Sequence, residues 1–174
     1  MNQSRSPVIP ALLVIAILVL TTVRTYGSPI ERLHPVGSTT LKVMFWTIYN
    51  STLFTGDGQY QGIEPGLALQ INYRRNIKRD YLIGTTRDQW RELSLYEPGT
   101  SERWLGELAE LLPNIRRGDS ITLVVEPDMS ASFFHNGESL GRLSDPRFTE
   151  AFLAIWLAEN STFPKLRNQL IGLK

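Results

Sequence analysis

From residue 39 onward the chain runs in blocks of two hydrophobic rhythms, one of period two and one of period 3.6. The first block, "LKVMFWTIYNSTLF" (41–54), is largely apolar in both of its alternating rows and has one charge, Lys42. It is too long for one flat strand, and a bulge or corner near Tyr49–Thr52 would divide it. Glycines at 56–62 mark a turn, and "LALQINY" (67–73) alternates as a strand does when one face is buried. Over 78–93 the spacing becomes helical, with Tyr81, Thr85, Trp90 and Leu93 on or near one side. Gly84 weakens that helix by about 1 kcal/mol relative to alanine. The next helix has Thr100 or Ser101 as its cap, a stripe of Trp104, Leu105, Leu108, Leu111 and Leu112, and Pro113 as its stop. Three short strands follow at 120–126, 131–135 and 138–143, joined at Pro127–Asp128 and by the Asn136-Gly137 hairpin signal. Asp145 then caps a helix with Pro146 in its first turn and Phe148, Phe152, Ile155 and Trp156 along one side. A short last helix, starting near Thr162–Pro164, buries Leu166 and Leu170.

Strands, two helices, three strands, two helices: such segregation predicts an α+β fold, an antiparallel β-sheet covered on one face by a layer of helices. Residues 28–38, with two prolines and a glycine, read as a linker, and 39–174 as one domain. Residues 1–27 carry Arg5, then no charge until Arg24, around an apolar run from Val8 to Val23. That run has the character of a signal-peptide core, with Thr25 and Gly27 available for cleavage before Ser28. It also approaches the minimum length of a membrane-spanning helix, so a retained anchor is the second reading. Either places the domain outside the cytoplasm, in the bacterial periplasm if free or on the inner membrane if anchored.

Composition narrows the chemistry. The 174 residues carry a net charge of +1 and no cysteine. Disulfides, thiolate metal sites and cysteine nucleophiles are therefore excluded. Loss of the first 27 residues would remove two of 18 basic groups and none of the 17 acidic ones, which leaves no electrostatic case for nucleic acid. The only histidines, His34 and His135, are a hundred residues apart, so no metal-ligand spacing exists. No G-x-S-x-G elbow is present. No cofactor or metal is expected. One block stands out: "RRNIKRD" (74–80) packs four basic groups into six residues. It reads as a solvated connection from strand to helix, or as an anion-binding rim over a pocket.

The ordered series "VGSTTLKVMFWTIYNSTLFT", "LALQINYRRNI", "TTRDQWREL", "GDSITLVV", "FFHNGESLG", "DPRFTEAFLAIWL" and "LRNQLIG" resembles the bacterial chalcone isomerase-like proteins from about Leu33 to Leu173. The resemblance implies their open-faced sandwich, with a ligand cleft between sheet and helices. In the plant enzymes of this family an arginine, assisted by a threonine, a tyrosine and an asparagine, binds the substrate oxyanion. Attack of a phenolate on an enone develops enolate charge, and a fixed cation with hydrogen-bond donors lowers that barrier. Related fatty-acid-binding members hold a carboxylate with the same arginine and a tyrosine.

Laid on that pattern, the arginine position falls on Leu41, the threonine on Tyr49, the tyrosine on Lys78 and the asparagine on Thr85. A one-residue slip would put Lys42 in the arginine's place but turn its side chain to the other face. The resemblance therefore implies a cleft lined by Leu41, Tyr49, Lys78, Tyr81 and Thr85 that lacks the family's cation. The expected function is an exported, non-catalytic protein binding an apolar or fatty-acid-like small molecule. One alternative is an intramolecular lyase or isomerase using Tyr49 and Lys78 in place of the arginine. Another is a membrane-tethered interaction protein with a vestigial cleft.

Overall fold

A computed structural model describes residues 28–173; the segment read as a signal peptide or anchor lies outside the described residues. Six strands pair antiparallel in chain order: β1 His34–Val43, β2 Trp46–Thr55, β3 Ala68–Tyr73, β4 Ser120–Val125, β5 Ala131–His135 and β6 Glu138–Leu143. Between β3 and β4 come helices α1 (Arg79–Glu92) and α2 (Thr100–Leu111); after β6 come α3 (Pro146–Leu157) and α4 (Pro164–Leu170). This is the α+β open sheet with a helical layer that the segregated pattern predicts.

Period two decides which side of the sheet the helices cover. Leu53, Leu69, Ile71, Tyr73, Ile121, Leu123 and Phe133 belong to one buried cluster with Trp90, Trp104, Leu108, Phe148, Phe152 and Leu170 of the helices. The alternate residues bond laterally on the other face: Ser38 to Thr52 at 2.9 Å, Thr40 to Asn50 at 3.1 Å and Gln70 to Thr122 at 3.3 Å.

Two local expectations are corrected. The long apolar stretch divides at a tight hairpin turn, Met44–Phe45, with Val43 paired to Trp46. No Gly, Asn or Asp marks that turn; Met44 itself adopts a left-handed φ of 53°. An irregularity lies close to where one was expected: Leu41 pairs with Tyr49 and Lys42 with Thr47, which leaves Ile48 without a partner. Residues 34–38, read as part of a linker, are the start of β1. Pro35 is tolerated there because β1 is an edge strand, and Val36 bulges between Pro35 and Gly37.

The helices follow their caps unevenly. Asp145 Oδ1 accepts from the Arg147 amide at 3.1 Å, with Pro146 in the first turn, as the sequence implies. Neither Thr100 nor Ser101 caps α2. Gly99 takes that position with φ 86°, and Ser101 Oγ instead accepts from the Glu97 amide. In α1 the residues expected on one side divide between two: Trp90 and Leu93 are buried, while Tyr81 and Thr85 are exposed.

Aromatic side chains fill the layer between α1, α2, α3 and β5. Phe148 makes edge contacts with Trp90 and Trp104 and stacks on Phe152, with centroids 5.4–6.2 Å apart. The Trp90 indole donates to the Ala151 carbonyl at 2.8 Å inside this cluster. Trp104 donates to Asp145 Oδ2 at 3.1 Å, so the carboxylate that caps α3 also ties it to α2.

On the opposite edge α4 lies against β1 so closely that a Cβ on Gly37 would overlap the Gln169 carbonyl oxygen and stand 2.7 Å from that of Leu170. Gly37→Ala is expected to lower stability by about 1–3 kcal/mol through overpacking. Gly84→Ala, where an added Cβ meets nothing within 4 Å, is expected to raise it by about 0.5–1 kcal/mol. Chemical denaturation of the two variants checks the opposite signs; an equal effect would mean that α4 does not press on β1.

Candidate functional site

The aromatic layer packs one part of the sheet face and leaves another part open. A cavity of about 770 Å³ lies between the sheet and helices α1, α3 and α4, within the range of about 300–1,000 Å³ usual for small-molecule sites. Leu69, Ile71, Ile121, Leu123 and Phe133 supply sheet residues to its wall; Leu82, Phe152, Ile155 and Leu166 supply helical ones.

Each polar contribution has a local cause. Leu41, Tyr49 and Tyr73 are paired in register across β1, β2 and β3, and all three line the cavity. On α1, Lys78, Tyr81, Leu82, Thr85, Thr86 and Gln89 also line it. Their spacing of three and four residues makes them one face of that helix. The buried positions Ile83 and Trp90 serve the core instead. The cavity thus brings together all five residues singled out in the sequence: Leu41 and Tyr49 from strands, Lys78 from the N-cap of α1, and Tyr81 and Thr85 from its first turns.

Among the other polar liners, Arg75 belongs to the 74–80 block that the sequence offered as an anion-binding rim, while Tyr73, Trp156 and Arg167 carried no site reading. Arg75 continues the alternation of Ile71 and Tyr73 past the end of β3, and its guanidinium carbon stacks 3.8 Å over the Trp46 ring. Arg167 lines the cavity from α4 and is fixed by donating Nε–H to the Leu157 carbonyl at 2.8 Å. Trp156 lies one helical turn beyond Phe152, and its indole donates to the Tyr49 hydroxyl at 2.9 Å. Tyr73 packs edge-on against Tyr49 with centroids 6.0 Å apart.

The electrostatics are one-sided. Arg75, Lys78 and Arg167 line the cavity, and no aspartate or glutamate does. Lys42 does not line it, and Leu41 occupies the position to which the resemblance assigns the oxyanion arginine. The Tyr49 hydroxyl is held protonated: burial pushes its pKa up to about 12, with the Trp156 indole opposing this more weakly. Burial drives Tyr73 in the same direction, and the neighbouring Tyr49 adds to it. Among the described residues no group of three or more His, Asp or Glu could hold a metal ion.

A family model described as chalcone isomerase-like matches residues 31–172. The chain belongs to that family. An uncharacterized protein of Haemophilus influenzae is 31% identical over 146 residues, covering 84% of this chain and 71% of that protein. A solved structure of an Arabidopsis thaliana fatty-acid binding protein superposes with a TM-score of 0.63 at 10% identity, over 82% of this chain and 88% of that one. At that identity the likeness is one of fold: the chalcone isomerase-like sandwich, with its sheet open on one face.

The tyrosine pair makes a pH prediction. In the unfolded chain Tyr49 ionises near the ordinary value of 10.0. Its contribution to stability is therefore complete below pH 10 and is lost as pH rises from about 10 to about 12. Alkaline titration followed by tyrosinate absorbance is expected to show a component near pH 12 that disappears in Tyr49→Phe. An unchanged titration in that variant would mean the phenol is not held in the desolvated position described here.

Proposed function

We propose that the chain is an exported, non-catalytic binding protein that holds an acyl-like molecule with an acidic head in the cavity between sheet and helices. The observation that carries this reading is the contrast within the lining: apolar walls, three cations and no carboxylate. Apolar walls favour a hydrocarbon body, since burial yields about 25 cal/mol per Å². A carboxylate head would leave water only against compensating donors, and Arg75, Lys78, Arg167 and the Tyr73 hydroxyl supply them. The fatty-acid binding described for the Arabidopsis protein of the same fold supports this ligand class. Export rests on the apolar N-terminal run with its flanking arginines.

The same geometry weighs against chalcone isomerase chemistry. An enolate developing beside β1 would meet Leu41 instead of a fixed cation. The Tyr49 hydroxyl already accepts from Trp156 and keeps its proton. Lys78 is exposed at the N-terminus of α1, outside the desolvated setting that a lysine acting with Tyr49 would need.

Native mass spectrometry of the protein isolated from its own compartment without detergent, followed by titration with a long-chain fatty acid, tests the reading. A bound or titratable acid at one per chain is expected. Arg75→Ala and Lys78→Ala should each weaken it about 3- to 10-fold, the size of a partly exposed charge-assisted contact, while leaving uptake of the matching alcohol nearly unchanged. Leu166→Trp, which intrudes on the cavity, should weaken both. A protein that is isolated empty and takes up neither fatty acids nor aromatic acids would overturn the proposal.

A further inference from the structure

The most exposed apolar surface of the described residues is concentrated at one point, the turn between β1 and β2. Val43, Met44, Phe45 and Trp46 are 53%, 84%, 93% and 59% exposed. Local physics does not favour these residues there. A two-residue hairpin turn prefers Asn-Gly or a similar pair, and Met44 is forced to a left-handed φ of 53°, which is uncommon for a side-chain-bearing residue. A polar turn would fit the backbone better and expose no apolar surface. The tip therefore presents an apolar surface that a further contact would remove from water.

The surroundings of the tip specify that contact. Lys42 precedes it, Arg75 stacks on Trp46, and Lys78 lines the same cavity as Val43 and Trp46. A second concavity, polar where the first is apolar, shares Trp46, Arg75 and Asn76 and is lined also by Thr40, Thr47, Asn50, Arg74 and Arg117. Neither lining contains an aspartate or glutamate. Among the described residues Lys42, Arg74, Arg75, Lys78 and Arg117 have no carboxylate within the 4.0 Å of an ion pair; of the other cations Arg79, Arg87, Arg91, Arg103, Arg142 and Arg147 do, and Arg32, Arg116, Lys165 and Arg167 do not. Four of these five cations thus share a lining with Trp46, and the fifth, Lys42, adjoins Val43 in sequence.

We propose that the β1–β2 tip docks the protein on an anionic lipid bilayer, Met44 and Phe45 entering the acyl boundary and the cations meeting lipid phosphates. Aromatic side chains partition to the membrane interface. Binding there scales with buried apolar area plus attraction of basic groups to anionic lipid. A two-residue convex turn suits a fluid surface better than a protein partner, whose standard interface takes about 800 Å² from each side. Because Val43 and Trp46 belong both to the tip and to the cavity lining, docking would set the cavity mouth against the lipid. The docking itself stands on the tip with Lys42, Arg74 and Arg117, none of which lines the apolar cavity, and so does not depend on what the cavity holds.

The absence of cysteine makes the test clean. An environment-sensitive fluorophore is placed on the full chain through Phe45→Cys or, at the opposite end of the sheet, Gln61→Cys, and phosphatidylcholine vesicles are added with and without phosphatidylglycerol. The expected result is a blue shift at position 45, larger with phosphatidylglycerol, weakened by salt and absent at position 61. The double variant M44S/F45S should lower vesicle partition about tenfold or more. It should leave fatty-acid uptake from solution intact, since neither residue lines the cavity, so docking and ligand binding can fail separately. The proposal is overturned by no shift with anionic vesicles, or by an equal shift at position 61, which would place the contact at the N-terminal end. It is equally overturned by a shift at position 45 that follows protein concentration without lipid, which would make the cover a second copy of this chain.

Discussion

The hydrogen bond from the Trp90 indole to the Ala151 carbonyl, fully buried between α1 and α3, sets the conditions for the rest of the helical layer. A buried carbonyl that loses its donor carries a desolvation penalty of about 1–3 kcal/mol, so the two helices are held at the separation that this bond dictates. Around it Trp104 and Phe148 meet Trp90 edge to face, and Phe152 stacks on Phe148 and meets Phe133 edge to face; rigid rings of that size admit few alternative packings. With Trp90 directed to the core, the face of α1 that carries Lys78, Tyr81, Leu82 and Thr85 is left over. It borders the cavity because the aromatic cluster already fills the space beside it. The Trp156–Tyr49 bond ties α3 to β2 beside that cavity and holds the layers apart there.

How much of this was readable in the residues depended on whether the decisive interaction was local. The helix begun by Asp145-Pro146 and the hairpin at Asn136-Gly137 are written in adjacent residues, and both stand where the pattern puts them. The Met44–Phe45 turn was not readable, because nothing in its chemistry signals a turn. An unbroken apolar run looks like one long strand or a bulged one until the pairing of Val43 with Trp46 is seen. The start of β1 at His34 was hidden by Pro35 and Gly37, which read as loop residues yet are acceptable on an edge strand. Helical periodicity in α1 grouped Tyr81 and Thr85 with Trp90, because spacing alone does not separate a face packed on a core from a face bordering a cavity. Four of the five cleft candidates came from a family register, and what fixes all five physically is long-range: the cross-strand row Leu41–Tyr49–Tyr73 and the docking of α1 over it.

The distribution of charge gives the molecule a direction. The resemblance assigns the cation that meets developing negative charge to the position of Leu41, inside the sheet. Here that position is apolar, and the cations stand instead at the end of β3, at the start of α1 and on α4. A cation held deep among apolar side chains must be desolvated, and a bond to an oxyanion that repays this strengthens as charge develops. A half-exposed or exposed cation keeps much of its water, attracts a ready-made anion and releases it again, which suits binding more than turnover. Tyr49 follows the same logic, since a phenol whose proton is held to about pH 12 donates a hydrogen bond far more readily than it gives up its proton. The placement of the cations and the retained phenol proton therefore fit the proposed binding reading: the polar groups along the cavity are better suited to meeting a charged end than to stabilising a reaction intermediate.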